Sequence, residues 1–138
     1  LPVMRELGIA LVAYSPLGRG FLTGQIKKFE DLAEGDFRRV NPRFMGENFD
    51  KNLELVKEVE EMAKQRNIKA SQLALAWVLN QGNDIFPIPG TTKINNLIEN
   101  IEAINITLSR EEITKLKSTM TFISGTRYSE AGMKGINL

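Results

Sequence analysis

Ile85-Phe-Pro-Ile-Pro-Gly-Thr-Thr-Lys-Ile-Asn-Asn-Leu-Ile-Glu-Asn100 is the stretch that decides the fold. Its first part predicts a short buried strand over residues 84–88, although Pro87 removes one ladder donor. Gly90-Thr-Thr-Lys93 predicts a turn that offers backbone N–H groups, two hydroxyls and an ammonium. Beyond it Ile94, Leu97, Ile98 and Ile101 recur at i, i+3, i+4 and i+7, the spacing of a helix whose apolar stripe is expected to face the sheet. The first N–H groups of a helix lack intrahelical partners and attract anions, so the turn suits a phosphorylated ligand. A purely structural strand–turn–helix would carry the same pattern, and both readings stay open at this point.

Working back from that stretch, residues 71–80 hold Leu73-Ala-Leu-Ala-Trp-Val-Leu79, apolar nearly all round, which predicts a buried helix with Trp77 as a core residue. Upstream, from Asp50, Leu53, Val56, Val59 and Ala63 share one face while Glu54, Lys57, Glu58, Glu61 and Lys64 face solvent. Residues 25–48 show no period, and a loop this long is expected to border a ligand site, bringing Phe29, Phe37 and Phe44 near it. Ile9-Ala-Leu-Val-Ala-Tyr14 is an apolar run bounded by Gly8 and Pro16, as in a parallel strand covered on both faces. Ser15-Pro-Leu-Gly-Arg-Gly20 follows it. Towards the other end, Ser109 and Glu112 form a capping box, and residues 121 onward have no periodicity.

Strands alternating with helices give a parallel sheet, in which ligand loops gather at the C-terminal strand ends. Two legible strands do not close a sheet buried on both sides, so the expectation is a piece of a larger α/β sheet or barrel. The opening Leu1-Pro-Val-Met-Arg-Glu6, without an initiator Met or signal pattern, fits that expectation. Neither loop is a P-loop or a GxGxxG fingerprint. Together, Arg19, Lys93 and the glycines on neighbouring strand ends still suit an anion. For Tyr14 two readings stay open: a core aromatic, or a ring lying flat on a planar ligand. No residue nearby in sequence tunes its phenol for catalysis.

The bulk properties narrow the chemistry. The chain has 138 residues, 42% hydrophobic and 25% charged, with a net charge of +1. That balance argues against nucleic acid or an anionic membrane as partner. It contains neither cysteine nor histidine. Disulfides, thiolate or imidazole metal sites, and Ser-His-Asp or Cys-His catalysis are therefore excluded, and no metal site or catalytic residue is assigned. The lack of targeting signals and of cysteine points to the cytoplasm.

The segments Gly8–Gly24 and Phe86–Lys93, with Gln72–Leu79 and Glu99-Asn100, resemble the C-terminal part of aldo-keto reductases. The resemblance covers the whole chain. Gly125-Thr-Arg-Tyr128 is similar to the plant and microbial branch that includes perakine reductase and auxin-induced-type reductases. The resemblance implies part of a (β/α)8 TIM barrel, with 9–14 as strand seven and 84–88 as strand eight. It implies NADPH as cofactor and hydride transfer to small aldehydes or ketones. Tyr14 then stacks on the nicotinamide, and Ser15, Pro16, Leu17, Gly18, Arg19, Gly20 and Gly24 belong to the pyrophosphate loop. Gly90, Thr91, Thr92 and Lys93 hold the 2′-phosphate, with Asn96, Glu99 and Asn100 near the adenine.

Two departures bear on this. Gly90 and Asn96 stand where many members carry Lys and Arg, leaving Lys93 to supply the charge. The family's Asp, Tyr, Lys and His come from earlier strands, so this chain by itself is not expected to be a competent reductase. The alternative is a non-catalytic nucleotide-binding regulatory module of the same fold, like channel β-subunits. Self-association through open barrel edges is also expected.

Overall fold

The computed structural model describes residues 1–136. A short helix, Pro2–Glu6 (α1), leads through the Gly8 turn into Leu11–Tyr14 (β1). Four 3-10 turns span Gly18–Thr23, Phe29–Asp31, Phe37–Val40 and Pro42–Phe44. The long helix Gly46–Gln65 (α2) and Ala70–Leu79 (α3) then return the chain to Ile85–Ile88 (β2). Ile94–Glu102 (α4), Arg110–Met120 (α5) and Glu130–Lys134 (α6) follow. The two strands pair in parallel, Leu11 opposite Ile85 and Tyr14 opposite Ile88, and form the whole sheet among the described residues.

One core lies where α2, α3 and α5 meet. Val59 and Ala63 pack with Leu73, Ala76 and Leu116, all at most 1% exposed. The apolar run Leu73–Ala76 of α3 is what this three-way contact requires, because that stretch leaves no face to water. The Ser109 hydroxyl accepts from the Glu112 N–H at 3.2 Å, and the Glu112 carboxylate accepts the Ser109 N–H at 2.7 Å, so the capping box starts α5 as expected. Trp77 sits at the rim of this core rather than deep within it, with its indole N–H buried and unpartnered.

A second core explains the excursion of residues 25–48. Ile26, Leu32 and Phe44 are 6%, 1% and 2% exposed and pack with Phe21, Phe49 and Val56. Phe21 meets Phe44 in a tilted and Phe49 in an edge-on arrangement, at centroid distances of 4.9 and 5.4 Å. The segment is thus a packed layer without helical period, its turns held by local contacts such as the Asp36 carboxylate accepting the Arg38 N–H. Phe44 is a core residue. Phe29 lies under the Arg39 guanidinium, and Phe37 stays 62% exposed.

Two expectations are corrected. β1 is covered on one side only: Val12 and Tyr14 remain 58% and 49% exposed, beside Phe86 and Ile88 of β2. The apolar stripe of α4 does not face the sheet either, since Ile94, Leu97, Ile98 and Ile101 are 75%, 48%, 50% and 55% exposed. That helix lies on α3 through polar groups. Gln72 Nε2 donates to the Glu99 carbonyl at 3.2 Å and to Glu102 Oε2 at 3.0 Å, and Lys69 pairs with Glu99. With two strands there is no third one for the stripe or the bare sheet face to meet. The accessible surface reflects this: 9199 Å², against roughly 7,200 Å² for a closed monomer of 15.5 kDa.

Candidate functional site

Because the strands run parallel with Tyr14 opposite Ile88, both ligand loops leave the sheet on the same side. A cleft of about 600 Å³ lies between them. The first loop reaches it by a tight reversal. Ser15, Gly18, Arg19 and Gly20 all take left-handed backbone, with φ of 50°, 58°, 59° and 92°. For Ser15 and Arg19, which carry a Cβ, such a conformation costs on the order of 1–3 kcal/mol and persists only where the surroundings over-determine it. Here the Gly18 N–H bonds to the Ser15 carbonyl at 3.0 Å, while the Arg19 carbonyl accepts from Arg38 Nη1 at 3.0 Å.

Ten of the expected residues line this cleft: Ser15, Pro16, Leu17, Arg19, Gly20, Gly90, Thr91, Asn96, Glu99 and Asn100. Five do not. Tyr14 stands beside it at the strand mouth, and Gly18 turns toward the aromatic core. Gly24 (φ 69°) packs against the Glu60 carboxylate, which a Cβ would overlap, so it serves close packing behind the loop. Thr92 and Lys93 are exposed outside the wall, where the Lys93 N–H bonds to Thr91 Oγ1 at 3.1 Å. Glu99 contributes its carbonyl to Gln72 and its carboxylate to Lys69, which ties the cleft wall to α3.

Sequence reasoning missed Arg38 and Asp31, both on the cleft wall. Arg38 grips Asp36 through Nε at 3.0 Å and Nη2 at 2.6 Å, and this pairing holds the Asp36 carboxyl down to about 2. The Asp31 carboxylate accepts the Lys27 and Lys28 N–H groups, which lowers its pKa. Both residues sit in the aperiodic segment, where no spacing could have marked them.

The segment after α5 docks onto Tyr14. Asn52 Nδ2 donates to the Ser124 carbonyl at 2.9 Å, and its Oδ1 accepts the Ser124 N–H at 2.8 Å. Asn41 Nδ2 and Arg19 Nη1 both donate to the Arg127 carbonyl, at 3.1 and 3.3 Å. So held, the Arg127 guanidinium lies 4.2 Å from the Tyr14 ring centre, and the Tyr128 and Tyr14 hydroxyls share a hydrogen bond of 2.7 Å. That shared bond pushes the Tyr14 phenol above its ordinary range and the Tyr128 phenol below it.

Residues 1–120 match the profile of the Aldo/keto reductase family. The chain is 48% identical over 126 residues to the NADP(+) aldo-keto reductase yakc of Schizosaccharomyces pombe, covering 90% of this chain and 37% of that protein. Among solved structures, the glycerol dehydrogenase AKR11B4 of Gluconobacter oxydans superposes with a TM-score of 0.80 at 26% identity, over 91% of this chain and 38% of that one. The thermostable aldo-keto reductase Tm1743, in complex with the inhibitor epalrestat, superposes with a TM-score of 0.59 at 27% identity, over 86% and 32%. The chain thus spans about a third of the length of these relatives, and its α/β fold is part of a TIM barrel.

Proposed function

This chain belongs to the aldo/keto reductase family, and from that premise we propose that it is the NADPH-holding, C-terminal portion of an oxidoreductase that reduces small aldehydes or ketones. The observation carrying this is the single cleft shared by Ser15–Gly20 and Gly90–Thr91, with Asn96, Glu99 and Asn100 along its α4 wall.

The residues suit such a nucleotide. A Cβ on Gly20 would meet the Arg38 guanidinium at 3.1 Å and the end of the Ile26 side chain at 3.8 Å, so glycine keeps that backbone open to a phosphate. Arg19 makes no ion pair among the described residues and is free to meet a pyrophosphate. Tyr14 remains 49% exposed, which leaves surface for a stacked ring. Thr91, on the cleft wall, would meet the 2′-phosphate, with Lys93 just outside the wall as the cation its loop offers. When bound, NADPH supplies a hydride for a carbonyl carbon. The groups that protonate the oxygen belong to the longer polypeptide, since this chain has no histidine and none of the family's catalytic motifs. Within the family we assign it to the branch of perakine reductase and auxin-induced-type reductases, on Gly125-Thr-Arg-Tyr128.

The test is a fluorescence titration with NADPH and NADH, following Trp77 and the nucleotide. Saturable NADPH binding that weakens at least roughly tenfold with NADH is expected from a 2′-phosphate contact. Equal binding of both removes that contact from the proposal, and binding of neither removes the nucleotide site from this chain.

A further inference from the structure

A second cleft, of about 90 Å³, lies behind the first and shares only Ser15 and Arg19 with it. Its mouth holds three guanidinium groups, Arg19, Arg43 and Arg127, each half-buried. Its floor is the aromatic core, with Phe21, Phe44 and Val56 at 6%, 2% and 1% exposure. Among the described residues no carboxylate pairs with any of the three arginines. Their hydrogen bonds go to carbonyls: Arg19 Nη1 to Arg127 and Arg43 Nε to Gly125, both at 3.3 Å. By contrast, the half-buried Arg38 is paired with Asp36.

Three like charges gathered over an apolar floor are costly unless an anion joins them. Burial, then the neighbouring Arg127 and Arg19, lower the Arg43 pKa, the direction that crowding of like charge gives. The volume is small beside the first cleft's 600 Å³, which suits a small carboxylate rather than a dinucleotide. We propose that Arg43 and Arg127, with Arg19 left to the nucleotide side of the wall the two clefts share, form an anion site for a carboxylate on a short apolar stem. Read together with the reductase assignment, on which this one step rests, the anion is the acid group of the carbonyl substrate. The site adjoins Tyr14, whose ring Arg127 covers at 4.2 Å. The substrate class is then an oxo acid or aldehyde acid.

The probe is succinate, titrated into the chain in low-salt buffer while the arginine Nε–H resonances are followed by NMR. Saturable shifts at Arg43 and Arg127 are expected, with affinity falling at least about tenfold in Arg43→Met and in Arg127→Met. Arg43→Lys, which keeps the charge and loses the fork, is expected between wild type and Arg43→Met and serves if the methionine variant does not fold. The titration is repeated with saturating NADPH. Unchanged succinate affinity supports a separate site; displacement by NADPH assigns the arginines to nucleotide phosphates and overturns the proposal. Equal succinate affinity in wild type and variants also overturns it. Failure of NADPH to bind refutes the nucleotide reading alone, because the succinate shifts are read without it.

Discussion

Replacing Asn52 by leucine tests whether the segment after α5 is held as described. Asn52 is 5% exposed, and its side chain bonds the Ser124 carbonyl at 2.9 Å, the Ser124 N–H at 2.8 Å and the Arg43 carbonyl at 3.0 Å. Leucine has the same branched outline and no polar atom, so all three main-chain groups lose their partner in a place with little room for water. At about 1 kcal/mol per bond, the expected loss is about 3 kcal/mol. A ceiling applies: once the segment opens by itself at lower cost, global stability falls no further. Two readouts are therefore needed, urea unfolding followed by Trp77 fluorescence and hydrogen exchange at the Ser124 amide. The expected result is a loss of about 2–3 kcal/mol, or, if local opening intervenes first, a rise of about two decades in Ser124 exchange. Release of the segment also frees Tyr14 from Tyr128, so the Tyr14 phenol should titrate lower than in the wild type, read by ultraviolet absorbance. An unchanged unfolding midpoint together with unchanged Ser124 exchange would refute the clamp.

Other perturbations probe other parts of the molecule. Leu73→Ala empties the centre of the α2–α3–α5 core at a fully buried position, and chemical denaturation should show a loss of about 2–5 kcal/mol. Ser109→Ala removes the cap of α5 and should cost about 0.5–2 kcal/mol by the same assay, whereas Ser109→Asp should restore most of it. The folded Asp36 carboxyl titrates at about 2, below its ordinary 3.8. Its contribution is thus complete above about pH 4 and lost as pH falls toward 2, at most about 2 kcal/mol after solvent screening. Thermal melts of Asp36→Asn between pH 2 and 5 should accordingly show a flatter acid limb than wild type, and parallel curves would remove the Arg38 pairing as the cause.

Local periodicity and capping are properties of neighbouring residues, and they were readable before any packing was known. The Ser109–Glu112 box, the buried α3 and the two glycine-bearing loops after β1 and β2 all stand where the spacing put them. The family resemblance, too, lay in contiguous motifs, and the profile match bears it out. What one strand pairs with, and which face a helix turns to its neighbours, depends on distant partners. Hence the expected burial of α4 and of both faces of β1 failed: amphipathic spacing specifies a stripe and leaves its cover undefined. Residues 25–48 were opaque for a related reason, since their apolar groups meet the core through turns rather than a repeat. Arg38 joined the cleft only through its bond to the Arg19 carbonyl, and Arg43 and Arg127 met only because Asn41 and Asn52 anchor the segment after α5. The sequence by itself determined the periodic helices, the two strands and the glycine-bearing loops after them, because these are short-range; the tertiary structure alone decided which charges share a cleft, because that depends on long-range packing of aperiodic chain.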